Sequence, residues 1–166
     1  DHRHRRQRLP ALTGVGRAGG VAEAARNPAS PVPDMLLEAD RRPPLKSPSE
    51  ADVRAAVLGL RLSGSSFVCL TNDSGDYVQA AGSRPWCTVE RRLLHPLQHC
   101  RAYQETLRPR YNDGTKLLTR AGEITLNHDE WFLLKDAAEI FASFFDGRPT
   151  QTRVKWRSMN AMLGLD

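Results

Sequence analysis

"SFVCLTNDSGDYVQAAGSRPWCTVERR", residues 66–92, decides how this chain folds. Phe67, Val68, Cys69 and Leu70 form a short apolar run, and Asn72, Asp73, Ser74 and Gly75 supply residue types that tolerate turn conformations. "DYVQAA" then resumes an extended pattern until Gly82, Ser83 and Pro85 break the chain again. Trp86 to Arg92 alternates and reads as a third strand. The three strands predict an antiparallel meander with one face packed and one wet. Tyr77 and Gln79, two residues apart, point the same way, and Glu90 lies on the strand expected beside them.

Working outward, "SPSEADVRAAVLGLRLSG" predicts a helix over 48–61 with Ser47 as cap, Pro48 at the first helical position and Glu50 completing a capping box. Val53, Ala56, Val57 and Leu60 then fall on one face. Residues 93–111 hold two prolines and two histidines and predict an irregular connection containing a strand at Cys100 to Thr106. "NDG" at 112–114 is a turn, and "TKLLTRAGEITL" reads as extended chain interrupted at Ala121 and Gly122. In "LKDAAEIFASFFDG", Leu134, Ala137, Ala138, Phe141 and Phe145 predict the buried face of a second helix, with Lys135, Asp136, Glu139 and Ser143 opposite and Gly147 as a left-handed C-cap. "TRVKWRSM" fits a last strand, with Val154 and Trp156 on one face and Lys155 and Arg157 on the other. The fold expected is α+β in two layers, a mostly antiparallel sheet of five or six strands packed against two helices.

The first part of the chain is different. Seven of its eleven prolines precede residue 49, and the first aromatic residue is Phe67. A segment with few apolar side chains and with amides removed by proline does not recover its ordering entropy by burial. Residues 1–46 therefore read as a disordered, basic leader rich in Pro, Gly and Ala, and residues 47–166 as a single α+β domain. Residues 1–48 hold nine Lys or Arg against five Asp or Glu, whereas residues 49–166 hold fifteen against fourteen. The basic charge thus belongs to the tail, and the domain is nearly neutral. Cys69, Cys87 and Cys100 are odd in number and irregularly spaced, unlike a secreted disulfide framework. No apolar run approaches the ~20 residues of a membrane helix. A soluble, cytoplasmic protein is expected.

Several motifs invite chemistry. Gly14, Gly16 and Gly19 make a G-x-G-x-x-G, but no strand pattern feeds it, as a dinucleotide site requires. His95, His99 and Cys100, with Cys87 upstream, are metal-compatible atoms without a C-x-x-C knuckle, and as a Cys–His pair they lack a third orienting group. Asn72 and Asp73 are explained by turn chemistry, and Asp129 and Glu130 by the helix that follows them. No catalytic residue, metal ligand or cofactor is assigned, and the chain does not read as an enzyme. "RHRR" in the tail suits weak, salt-dependent contact with nucleic acid, which is the alternative function. Tyr77, Gln79, Glu90, Trp156 and Arg157 are the candidate partner-binding residues, with a structural hydrogen-bond network as the other reading of the Tyr-Gln-Glu patch.

Taken in order, the first helix, "SFVCL", a turn, "DYVQAAG", "CTVERR", "NHDEWFLLKDAAEIFASFFDGRP" and "VKWRSM" resemble a group of small bacterial proteins. These share a Tyr-x-Gln strand ending in Ala-Gly, a Val-Glu-x-Arg strand, an acidic approach to an A-x-x-I-F-x-x-F helix and a closing Trp-Arg. "FFDGRPTQTRVKWR" is also similar to immunity proteins of bacterial toxin–immunity systems, in the helix, the Gly-Arg-Pro turn and the Val-x-Trp strand. The resemblance covers roughly the last hundred residues. It implies a non-enzymatic cytoplasmic protein that binds and neutralises a toxin, its partner. Leu133, where a capping Ser or Thr is expected, and the Pro-rich leader depart from the pattern.

Overall fold

The computed structural model describes residues 34–165. The glycine motif, the "RHRR" run and residues 1–33 of the expected leader lie outside the described residues. The elements in chain order are β1 (Leu36–Ala39), β2 (Leu45–Lys46), α1 (Glu50–Leu58), β3 (Phe67–Thr71), β4 (Tyr77–Ser83) and β5 (Trp86–Leu94). They continue with β6 (Leu97–Gln104), β7 (Thr115–Thr119), β8 (Gly122–Leu126), β9 (Phe132–Leu133), α2 (Leu134–Phe145), β10 (Val154–Ser158) and α3 (Asn160–Leu163). The main sheet runs β10-β6-β5-β4-β3-β1-β2, with β9 added beside the start of β5, and β7 and β8 form a separate hairpin. All these pairings are antiparallel. The α+β class stands, with more strands than the five or six expected.

The quoted stretch forms the expected meander, β3 to β5. Asn72 accepts from the Asp76 amide at 3.0 Å, and Gly75 takes a φ of 85° in the turn. Gly82 faces Cys87 so closely that a Cβ there would lie 2.4 Å from the Trp86 carbonyl oxygen. Only glycine fits.

Val68, Leu70, Val78, Ala80, Cys87, Val89 and Ala102 line one face of the sheet and meet the two longer helices. Helix α1 contributes Val53 and Val57, with Leu60 just beyond its end, and α2 contributes Leu134, Ala137, Ala138, Ile140 and Phe141. Ile140 and Ser143 extend the buried stripe of α2 beyond the expected one; Ser143, expected on the outer face, is buried. Gly147 takes the left-handed conformation that the sequence asks for, and Arg148 N–H returns to the Ser143 carbonyl at 2.8 Å. Leu133 caps α2 without a side-chain hydrogen bond.

Three expectations need correction. The cap of α1 is Ser49, not Ser47: its Oγ accepts from Asp52 N–H at 3.1 Å while Asp52 accepts from Ser49 N–H at 2.9 Å. Ser47 instead sits at a φ of 49°, outside the helix. The domain also begins earlier than residue 47. Met35 and Leu37 alternate into the main core, and β1 pairs with both β2 and β3. Pro43 and Pro44 do not prevent this because they lie between β1 and β2. Residues 93–111, finally, are largely regular: β5 extends to Leu94 and turns at His95 and Pro96 into the eight-residue β6.

The second sheet face is not simply wet. The β7–β8 hairpin lies over part of it, and Leu117, Leu126 and Trp131 form a second apolar cluster with Trp86, Tyr111 and Ile124. Tyr111 stacks on Trp131 at 4.3 Å between ring centroids. Elsewhere on this face Tyr77, Gln79 and Arg92 are half-buried.

Moving the cap from Ser47 to Ser49 is directly checkable by urea unfolding. Ser49→Ala is expected to lower stability by about 1 kcal/mol, whereas Ser47→Gly, which relieves a positive φ, is expected to be neutral or stabilising.

Candidate functional site

Antiparallel register fixes what the second face presents. Glu38 lies opposite Cys69, Cys69 opposite Gln79, Gln79 opposite Glu90, Glu90 opposite Arg101 and Arg101 opposite Arg157. One row of side chains therefore crosses six strands. A parallel row holds Thr71, Tyr77, Arg92 and His99.

Glu90 is the centre of the first row. One carboxylate oxygen accepts from Arg101 Nε at 3.0 Å and Nη2 at 2.8 Å. The other accepts from Gln79 Nε2 at 3.0 Å and shares a 2.8 Å hydrogen bond with His99 Nε2. Burial alone would raise the Glu90 pKa, but His99, Arg101 and Gln79 outweigh it and hold the carboxyl below its ordinary 4.5. An ionised carboxylate only accepts, so His99 Nε2 carries the hydrogen of this bond and leaves Nδ1 for a separate partner. That Nδ1 is buried and has no partner among the described residues. The His99 ring meets Tyr77 edge-on at 6.3 Å.

The network continues to the loop before β9. Arg101 Nη1 donates to the Thr125 carbonyl at 3.3 Å and to Glu130 at 3.4 Å. Glu130 is almost fully buried and also accepts from Asn127 N–H at 2.8 Å and Arg157 Nη1 at 2.7 Å. Arg157 grips Asp129 through both Nη atoms, at 3.2 and 2.9 Å, and stacks on Tyr103 at 4.3 Å. Asp129 above all, then Glu130 against the opposing effect of burial, raises its pKa further, so the guanidinium is permanently charged. Asp129 and Glu130, expected to serve the helix that follows, are instead the counterions of β6 and β10, and they clamp the exit of the hairpin onto the sheet.

Of the residues singled out in the sequence, Tyr77, Gln79, Glu90 and Arg157 are brought to this face. Tyr77 and Gln79 are half-buried, but Glu90 has both oxygens occupied and Arg157 has its charged end engaged by the chain's own carboxylates. Trp156 belongs to the opposite face, opposite Ala102 and against the main core. Arg101 and Tyr103 were missed, and His99 was weighed only with Cys87, His95 and Cys100, although the spacing of two along "LQHCRAYQ" places His99, Arg101 and Tyr103 on one face of a strand. The thiols and histidines once weighed together diverge. Cys87 is fully buried with its thiol pKa pushed far up by burial, and Cys100 faces Arg91 in register, on the side opposite His99. All three cysteines are free. Among the described residues no group of three or more His, Cys, Asp or Glu side chains is set to hold a metal ion. No described helix is long and apolar enough to cross a membrane. Comparison with protein-family models, curated proteins and solved structures finds no match to this chain.

Because Glu90 has a lowered pKa in the fold, it contributes stability above about pH 4.5 that is lost as pH falls below that value. Glu90→Gln is expected to cost about 3 kcal/mol at pH 7, since Arg101 loses its counter-charge and one of the two acceptor oxygens becomes an N–H donor. In urea melts between pH 3 and 7 it should also flatten the acid limb seen for the wild type. An unchanged acid limb would remove Glu90 from its central place.

Proposed function

We propose that this domain is a non-catalytic protein-binding module whose contact surface is the open half of the second sheet face, centred on Tyr77. The observation that carries this reading is the way Tyr77 is held. It is half-buried, it rests on the edge of the buried His99, and His99 is fixed by Glu90. An aromatic side chain positioned before contact loses little freedom on binding, the property of an interface anchor. Beside it lies Arg92, half-exposed and without an ion-pair partner among the described residues, which suits an acidic patch on the partner. Gln79 completes the surface. Its side chain lines a mostly apolar recess of about 380 Å³ between β4 and the hairpin, with Phe67, Ala81 and Ile124, where a partner's apolar side chain can seat.

The order of sequence motifs supports a cognate bacterial toxin as that partner and neutralisation by a stoichiometric complex as the mechanism. Cys69, Cys87 and Cys100 as buried free thiols fit a reducing cytoplasm as the place of action. Glu90, Arg101, Glu130 and Arg157 act in this reading by holding the surface, not by touching the partner.

The test is affinity capture on the full chain from the source cell, followed by reconstitution with the purified partner and growth protection against its expression. A one-to-one complex is expected, with Tyr77→Ala and Arg92→Ala each weakening it by about tenfold or more, or at least ~1.4 kcal/mol. Undiminished affinity and protection in the double variant would contradict the proposed surface.

A further inference from the structure

The helix side of the sheet carries a second, unrelated feature. Arg91 on β5 points to the core face, its guanidinium lying 4.3 Å from the Trp156 ring centroid. Cation–π attraction accounts for the stacking, but not for the charge being taken from water. Burial lowers the Arg91 pKa, with only the neighbouring Cys100 opposing it. No carboxylate pairs with Arg91 among the described residues. The guanidinium faces a recess of about 90 Å³, roofed by Ile140 and Phe144 of α2 and by the loop that carries Arg148 and Thr150. Arg148 gives Nε and Nη2 to Asp146, at 3.2 and 2.8 Å, and makes no other side-chain hydrogen bond among the described residues. Trp156 Nε1 donates to Thr150 Oγ1 at 3.2 Å and fixes the far wall. The carbonyls at the end of α2, which would repel an anion, are already covered: those of Ala142, Ser143 and Phe144 accept from Asp146, Arg148 and Gly147.

We infer that the recess between Arg91, Arg148 and Trp156 is a binding site for a single oxyanion group, a carboxylate or a phosphoryl group. Arg91 supplies a guanidinium without a carboxylate partner among the described residues, and Arg148, whose Nε and Nη2 are held by Asp146, adds its remaining Nη1 N–H groups, donors of the kind an oxyanion accepts. The small volume admits the anionic head and leaves the remainder of its carrier outside. The site lies on the opposite side of the sheet from Tyr77, so it stands or falls independently of the surface proposed above.

The experiment is an NMR titration of the ¹⁵N-labelled full chain, following the Trp156 Nε1–H resonance, assigned with Trp156→Phe. Inorganic phosphate and sodium acetate are added separately against sodium chloride at matched ionic strength. A saturable shift with phosphate assigns the site to phosphoryl groups, and one with acetate assigns it to carboxylates. Arg91→Met and Arg148→Met should each weaken that binding about tenfold or more, whereas Arg108→Met, which removes an exposed charge elsewhere, should leave it unchanged. Arg148 lies in an exposed loop, so its variant keeps the test valid if Arg91→Met fails to fold. No saturable shift with either anion, or equal binding in wild type and Arg148→Met, would overturn the inference.

Discussion

A mostly buried carboxylate in the middle of a sheet face is the constraint on which the rest of this structure depends. Taking Glu90 out of water costs several kcal/mol, and attraction to one cation repays that only when every lone pair is also satisfied. Glu90 meets the condition with four hydrogen bonds from Gln79, His99 and Arg101, which lie on the two strands flanking its own. Slipping β4 or β6 by one residue would carry those donors to the other face and leave the charge unpaired. The network therefore specifies register as well as contributing stability, and it does so where the apolar pattern is weakest.

The same network divides the face in two. On one side, Arg101 and Arg157 reach Glu130, Asp129 and the Thr125 carbonyl, and so seat the β7–β8 hairpin over its own apolar cluster. On the other, His99 meets the half-buried Tyr77 edge-on. Buried charges and the open aromatic are one arrangement: the first rigidifies, the second is available. The helix side, filled by Phe141, Ile140 and Val57, is by contrast an ordinary core apart from Arg91.

Much of the fold was legible because its signals are local. Asn72 to Gly75 mark one turn, Pro85 another, and the period of Ala137, Ala138 and Phe141 marks α2. What escaped depends on distant partners. Four residues of β1 are diluted by the proline-rich context around them, and it is pairing with β2 and β3 that makes Leu36–Ala39 a strand. Ser47 and Ser49 both precede a suitable acid three residues on, Glu50 or Asp52, and the pull of Ser47 out of line toward Asp34 is not visible in one dimension. β6 was obscured by Pro96, which sits in the turn rather than in the strand. Tyr77, Gln79 and Glu90 were legible as neighbours; their link to Glu130, forty residues further along, was not.

The claim that Glu90 and Arg101 act as a unit is tested most directly by a double-mutant cycle on stability, with Glu90→Gln, Arg101→Met and the double variant unfolded in urea at pH 7. A paired, buried interaction predicts that the double variant is less destabilised than the two single losses combined, by about 1–3 kcal/mol. Additive losses would contradict the account and reduce the network to independent contacts.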